Sequence, residues 1–294
     1  MTPTLIHQEH RRPPGRHDTA PPARARDWAE IQERMFVPLY DAVYRRLGVG
    51  PGTRLLGLGC GSGLALLRAA SLGADVTGAD TDADRLRLAR ERLLPEPEWG
   101  GRRWPARLVS SAVPDAAGAP YTLITAFSGP PDPAVLRRAA RLAAPGSPVV
   151  LAGCGDPGQC TATVTHRLDT PTREPGPADG RARAARCGAE DGTPPRGEGQ
   201  ETTGPVGSAA ALEDVAARAG LRHRETAEVN CPFGYPGLDG AVRGLLATGN
   251  FDAAVRVAGA EQVVRELTEA LHPYVGRDGA VWLPSPLPYV IAEV

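Results

Sequence analysis

Lysine is missing from this chain: all 33 basic residues among its 294 are arginine. Catalysis by a lysine amine is thereby excluded, and so is a P-loop, which needs a lysine to reach a phosphate. A surplus of either charge is missing too. The 33 arginines face 34 acidic residues for a formal net charge of -1, so no overall positive field gathers nucleic acid or an anionic membrane surface. No apolar run approaches the roughly 20 residues of a membrane span. The first residues run polar through Arg11, Arg12, Arg16 and Asp18 without the apolar core of a signal peptide. The expectation is a cytoplasmic protein with no nucleic-acid or membrane partner. The cysteines, Cys60, Cys154, Cys160, Cys187 and Cys231, are odd in number and irregularly spaced, and none forms a C-x-x-C pair. They support neither a disulfide framework nor a zinc site, and no metal is expected.

What is present is an enzyme-sized chain whose hydrophobic content of 41% can fill the core of a large α/β domain. Residues 1–24 mix Pro13, Pro14, Pro21 and Pro22 with charges and read as a disordered leader. From Arg26 to Leu47 apolar residues recur at helical spacing. Pro38 interrupts that stripe, because proline lacks the N–H donor, so two short helices are expected. Strands are expected at Arg54–Leu58, Gly73–Ala79, Ala106–Ser110, Tyr121–Phe127 and Pro148–Ala152, alternating with helices at Leu64–Leu72, Asp82–Leu94 and Pro133–Ala144. Such alternation implies a parallel sheet covered on both faces.

Residues 155–206 scatter Pro171, Pro175, Pro177, Pro194, Pro195 and Pro205 among Gly, Glu, Arg and Thr, and read as a flexible low-complexity insertion. Order resumes with a helix at Ala209–Ala219 and a strand at Leu221–Val229. Helical patterns then follow at Leu238–Ala247 and Ala260–Leu271, with a less regular stretch at Phe251–Val257 between them, before a last strand at Leu287–Val294. The core thus divides into residues 25–154, carrying a helical cap, and residues 207–294.

The chemistry concentrates in Gly57-Leu-Gly-Cys-Gly-Ser-Gly63 at the mouth of the first strand. Glycines there let the chain turn tightly and let a nucleotide approach the N–H groups that open the next helix. The dinucleotide fingerprint G-x-G-x-x-G/A fails in every register, since its last position falls on Ser62, Leu64 or Leu66. A G-x-G-x-G loop with Asp80 at the tip of the second strand resembles the class I S-adenosylmethionine-dependent methyltransferases, over residues 50–155. The resemblance extends to Thr122-Leu-Ile-Thr-Ala-Phe-Ser128 as a fourth strand, Ala143-Ala-Pro-Gly-Ser147 as a turn, and Leu287-Pro-Tyr-Val-Ile-Ala292 as a final antiparallel strand.

The resemblance implies a doubly wound, seven-stranded Rossmann-like α/β sheet with N-terminal helices and a helical insertion before the last strand. It also implies S-adenosylmethionine as cofactor, held by Leu58, Gly59, Cys60, Gly61, Gly63, Asp80, Thr81, Ser111, Ala112 and Phe127. By it, Gly59, Gly61 and Gly63 line the methionine and ribose portion, and Asp80 takes the ribose hydroxyls. The bland reading of Asp80 is a helix cap. Two positions depart from the family: Gly57 stands where an acid is usual, and Ser111 where an acid binds the adenine amino group.

Residues 231–275 resemble the lid of a small-molecule methyltransferase and open with Cys231-Pro-Phe-Gly-Tyr-Pro236. An extra packing layer or a dimer interface is the alternative, because amphipathic helices serve all three roles. Trp28, Gln32, Phe36 and Tyr40, with Phe233 and Tyr235, are the candidates for a mostly apolar acceptor pocket. No catalytic residue is singled out: His7, His10, His17, His166, His223 and His272 all fall on leader, insertion or surface elements. The expected function is methylation of a small organic molecule by a monomer or homodimer. The alternative is a methyltransferase-like protein that no longer methylates and acts as a binding, scaffold or regulatory partner.

Overall fold

The computed structural model describes residues 20–153 and 207–294. The expected insertion, most of the expected leader, and His7, His10, His17, His166, Cys154, Cys160 and Cys187 lie outside those residues.

The first helix, α1 (Pro21–Asp27), begins inside the span expected as leader. Proline suits the first helical position because its ring fixes a helical φ and its missing N–H would be unpaired there anyway. The chain then stays helical to Arg46. A π-helical turn at Trp28–Gln32 and a 3₁₀ turn at Glu33–Phe36 lead into α2 (Val37–Arg46). Pro38 therefore does not split one helix from another across a loop. It sits in the first turn of α2, and the irregular turns before it absorb the change of register.

Five parallel strands follow: β1 (Arg54–Leu58), β2 (Asp75–Asp80), β3 (Ala106–Ser110), β4 (Leu123–Ala126) and β5 (Pro148–Ala152). They alternate with α3 (Leu64–Ser71), α4 (Ala83–Leu93) and α5 (Pro133–Ala140). After α6 (Ala209–Arg218) comes β6 (Arg222–Asn230), and the sheet is completed by β9 (Pro286–Glu293), antiparallel to both β5 and β6. The order β3-β2-β1-β4-β5-β9-β6 is that of a doubly wound, seven-stranded Rossmann-like sheet in which β9 runs antiparallel to its neighbours. Successive residues of β1 point to opposite faces, so Leu55 joins the apolar cluster under α2 and α3 while Leu56 and Leu58 join the one under α5 and α6.

Between β6 and β9 the helices α7 (Leu238–Leu246), α8 (Asp252–Ala258) and α9 (Ala260–Leu271) lie as expected, but they are framed by a small hairpin-like sheet. Its strands, β7 (Phe233–Tyr235) and β8 (Val281–Leu283), pair antiparallel. The segment expected as a helical insertion opens on a short strand, because Phe233 and Tyr235 alternate inward with Gly234 between them. Gly234 leaves room for the half-exposed Trp282 ring on β8, which an added Cβ would meet at 2.6 Å.

The N-terminal helices are tied to this helical segment from several sides. Arg24 pairs with Asp252 at 3.0 Å, Arg243 forks onto Asp27, and the Tyr235 hydroxyl donates to Gln32 Oε1 at 2.9 Å in the interior. From the sheet side, Arg85 of α4 donates to the Ala247 carbonyl at 2.9 Å. The N-terminal helices and this segment therefore pack as one layer over the carboxyl ends of β1 and β2. No helix among the described residues is long and apolar enough to cross a membrane.

Candidate functional site

In the sheet order β2 and β4 flank β1, so the chain leaves β1 and β4 toward opposite faces of the sheet. Ligands of open α/β sheets bind at such a switch point, outside the carboxyl ends of the strands. The glycine-rich loop leaves β1 at that point. Gly59, Gly61 and Gly63 have φ of 57°, 56° and 80°, left-handed values that residues with a Cβ adopt only at a cost.

These glycines serve different neighbours. Gly59 is exposed at the rim beside Ser128, whose hydroxyl donates to the Gly59 carbonyl at 2.8 Å. Gly61 is buried under the N-terminal segment, where an added Cβ would lie 2.9 Å from Trp28 Nε1 and 3.3 Å from Glu33 Oε1. Gly63 faces α4, where an added Cβ would lie 3.0 Å from the Ala89 Cβ, so the structure gives it a helix-packing role away from the rim. Leu58 and Cys60 likewise turn their side chains into the two apolar clusters. Burial pushes the Cys60 thiol up and keeps it protonated.

Asp80 stands at the centre of the rim. Its Oδ2 accepts the Gly61 N–H at 2.7 Å and its Oδ1 accepts the Asp82 N–H at 2.9 Å. The helix cap is Asp82, whose side chain accepts the Arg85 N–H. Asp80 thus supports the turn before α4 and fixes the loop, while remaining partly accessible. Thr81 and Ala112 are exposed on the same rim. Ser111 is half-buried and donates its hydroxyl to the Val113 carbonyl at 2.9 Å, leaving its oxygen lone pairs as acceptors.

The aromatic candidates converge although they come from three parts of the chain. Phe36 lies 6.0 Å from Trp28, 6.5 Å from Tyr40 and 5.4 Å, edge-on, from Phe233, between ring centroids. Tyr40 lies 4.9 Å from Phe127, which closes the row against Tyr44. Trp28, Phe36, Tyr40, Phe127, Phe233, Tyr235 and Gln32 are all buried. They form a packed wall beside the loop in place of an open pocket. Burial raises the Tyr40 and Tyr44 hydroxyls well above the ordinary phenol range, so neither is a base at neutral pH. On the outer side of the same N-terminal segment, Glu30, Arg34, Pro236, Asp239 and Arg243 border a cleft of about 620 Å³.

Sequence reasoning missed three residues at this site. Glu33 is buried and accepts hydrogen bonds from the Ser62 hydroxyl, from the Leu64 N–H at 3.3 Å and from Arg92 at 2.8 Å. Ser62 is fully buried, and Arg92 also donates to its carbonyl at 2.8 Å. One signal was available, a charged residue placed within an otherwise apolar helical stripe.

No protein-family model matches the sequence, and no curated protein is significantly similar to it. Among solved structures, the fold is similar to that of the mycolic acid cyclopropane synthase CmaA1 complexed with S-adenosylhomocysteine, at 14% identity and a TM-score of 0.47. The match covers 89% of this chain and 83% of that one. The cyclopropane synthase MmaA2 from Mycobacterium tuberculosis is 13% identical, with a TM-score of 0.45 over 87% of this chain and 83% of its own. The YcgJ protein from Bacillus subtilis is 13% identical, with a TM-score of 0.48 over 86% and 97%. At such identities and scores the assignment of the fold rests on the sheet order itself.

Proposed function

We propose that this chain binds S-adenosylmethionine across the carboxyl ends of β1, β2 and β4 and methylates a small organic acceptor. The observation that carries the reading is Asp80, an accessible carboxylate at the tip of β2 locked onto the glycine loop by the Gly61 N–H at 2.7 Å. Each of its oxygens receives one N–H and keeps a further lone-pair site, which fits the paired hydroxyls of a ribose. The exposed backbone of Gly59 and the Ser111 oxygen lie along the same rim, suited to the rest of the nucleoside. The cofactor would supply an electrophilic methyl group on a sulfonium. The aromatic wall of Trp28, Phe36, Tyr40 and Phe127 would keep water away and offer ring faces to that cation. With Tyr40 and Tyr44 held protonated by burial, neither takes a proton from the acceptor.

A small-molecule acceptor, no nucleic-acid or membrane partner and a cytoplasmic monomer or homodimer complete the proposal. A second reading, a methyltransferase-like binding or regulatory protein without transfer activity, is favoured by one specific observation. Gly57 has no acid, and a Cβ there would meet Leu66 at 2.9 Å, so the space beside it is taken by the core. Incubation with methyl-labelled S-adenosylmethionine and a panel of small amines, phenols, thiols and carboxylates separates the two. Label in any acceptor supports the enzyme; binding of the cofactor with no transfer to any class supports the second reading.

A further inference from the structure

Glu30 and Arg34 stand four residues apart on the helical N-terminal segment, in the order in which a glutamate and an arginine attract each other best along a helix. They do not pair. Among the described residues neither side chain takes part in a hydrogen bond or an ion pair. Both instead border the cleft of about 620 Å³ between this segment and the start of α7, a volume suited to a small ligand. The chain between them passes from the π-helical turn at Trp28–Gln32 to the 3₁₀ turn at Glu33–Phe36, and π turns are rare and concentrate at functional sites. The ground between the two charges is apolar: Ile31 lies on the near wall and Pro236 on the facing one. Gly237 keeps that facing wall low, since the nearest atom to a Cβ there would be the Gly279 carbonyl oxygen at 3.9 Å. The remaining charges of the cleft are engaged with one another, Arg243 forking onto Asp27 with Nη1 at 3.9 Å from Asp239.

We infer that this cleft is a second ligand site, and that it takes a short zwitterion of dipeptide size with its charges at opposite ends. The carboxylate sits on the Arg34 guanidinium, whose planar fork matches it with two parallel N–H bonds. The ammonium donates to the Glu30 carboxylate, and the body of the ligand covers Ile31 and Pro236. A ligand with one charge meets one opposite and one like charge in the cleft, so the pair selects against simple anions and simple cations together. The bound zwitterion joins the N-terminal segment to α7, alongside the Arg243 fork onto Asp27. Trp28 and Glu33, which meet the glycine loop, lie on the opposite, inner face of the same segment. The inference therefore stands apart from the S-adenosylmethionine reading.

The test is calorimetric titration of the full chain with glycyl-leucine, beside N-acetyl-glycyl-leucine, which lacks the ammonium, and glycyl-leucinamide, which lacks the carboxylate. The wild type is expected to bind glycyl-leucine roughly tenfold more tightly than either capped form. Arg34→Gln should bind glycyl-leucine and glycyl-leucinamide alike, because the carboxylate has lost its partner. Glu30→Gln should bind glycyl-leucine and its acetylated form alike. Both side chains are exposed, so both variants should keep the wild-type urea midpoint. No saturable binding of glycyl-leucine by the wild type overturns the inference, and so does equal binding of the three probes. A wild-type preference retained by either variant overturns it as well. If a variant unfolds early, the three probes on the wild type decide alone. Failure of S-adenosylmethionine to bind would leave this inference standing, and failure of the dipeptide would leave the cofactor reading standing.

Discussion

Replacing Gly61 with alanine tests whether the N-terminal segment closes on the glycine loop as described. Two costs are expected. The backbone at Gly61 has φ of 56°, and a residue with a Cβ in that left-handed region loses about 1–2 kcal/mol. The new methyl would also stand 2.9 Å from Trp28 Nε1. That contact is with a buried ring wedged against Phe36 and overlain by Arg85, and overpacking of this kind costs about 1–3 kcal/mol. Gly59→Ala is the control. It shares the left-handed φ, 57°, but its methyl would meet Ser128 at an ordinary 3.7 Å, so only the backbone cost applies. Urea denaturation at neutral pH should therefore place Gly61→Ala about 1–3 kcal/mol below Gly59→Ala, and the gap should close in a Trp28→Ala background. Equal stabilities of the two single variants, or a gap that survives the loss of Trp28, would refute the packing of this segment on the loop.

Other perturbations probe the neighbouring layers. Phe127→Ala opens the aromatic row between Tyr40 and Tyr44 and should lower stability by about 3–5 kcal/mol in the same denaturation assay. Arg243→Ala removes the fork onto Asp27 and should speed proteolytic cleavage near residues 20–36 while costing only about 1 kcal/mol, the pair being partly exposed. Alkaline pH should destabilise the fold. Burial holds the Cys231 thiol up at about 11 and raises Cys60, Tyr40 and Tyr44 as well. In the unfolded chain these groups titrate from about 8.5 to 10. The native state therefore binds more protons above that range, so the stability is fully present below about pH 8.5. It falls as pH rises, by about 1.4 kcal/mol per pH unit for each group titrated only in the unfolded chain. Urea midpoints that stay level from pH 7.5 to 10.5 would contradict the burial of these side chains.

Much of the sheet was legible because its signals are local. β3 and β5 have the expected bounds, and α9 has the expected apolar stripe in Val263, Leu267 and Leu271. The loop glycines announced a tight turn, and the structure shows each in a left-handed conformation. What escaped depends on partners remote in sequence. Phe233–Tyr235 is a strand because Val281–Leu283 pairs with it, across a separation that no periodicity reports. The start of α1 at Pro21 was hidden by proline density that elsewhere marks irregular chain. The separate duties of Gly59, Gly61 and Gly63 follow from what packs against each, and in sequence the three look alike. Glu33 was illegible for the same reason: its meaning comes from Ser62 and Arg92, 29 and 59 positions away.

The central claim, that the rim formed by Asp80 and the glycine loop is an S-adenosylmethionine site, is tested most directly by calorimetric titration of the purified chain with S-adenosylmethionine, beside Asp80→Ala as control. The account predicts saturable one-to-one binding by the wild type and its loss in a variant that still unfolds cooperatively. No binding by the wild type, or equal binding by Asp80→Ala, would contradict it.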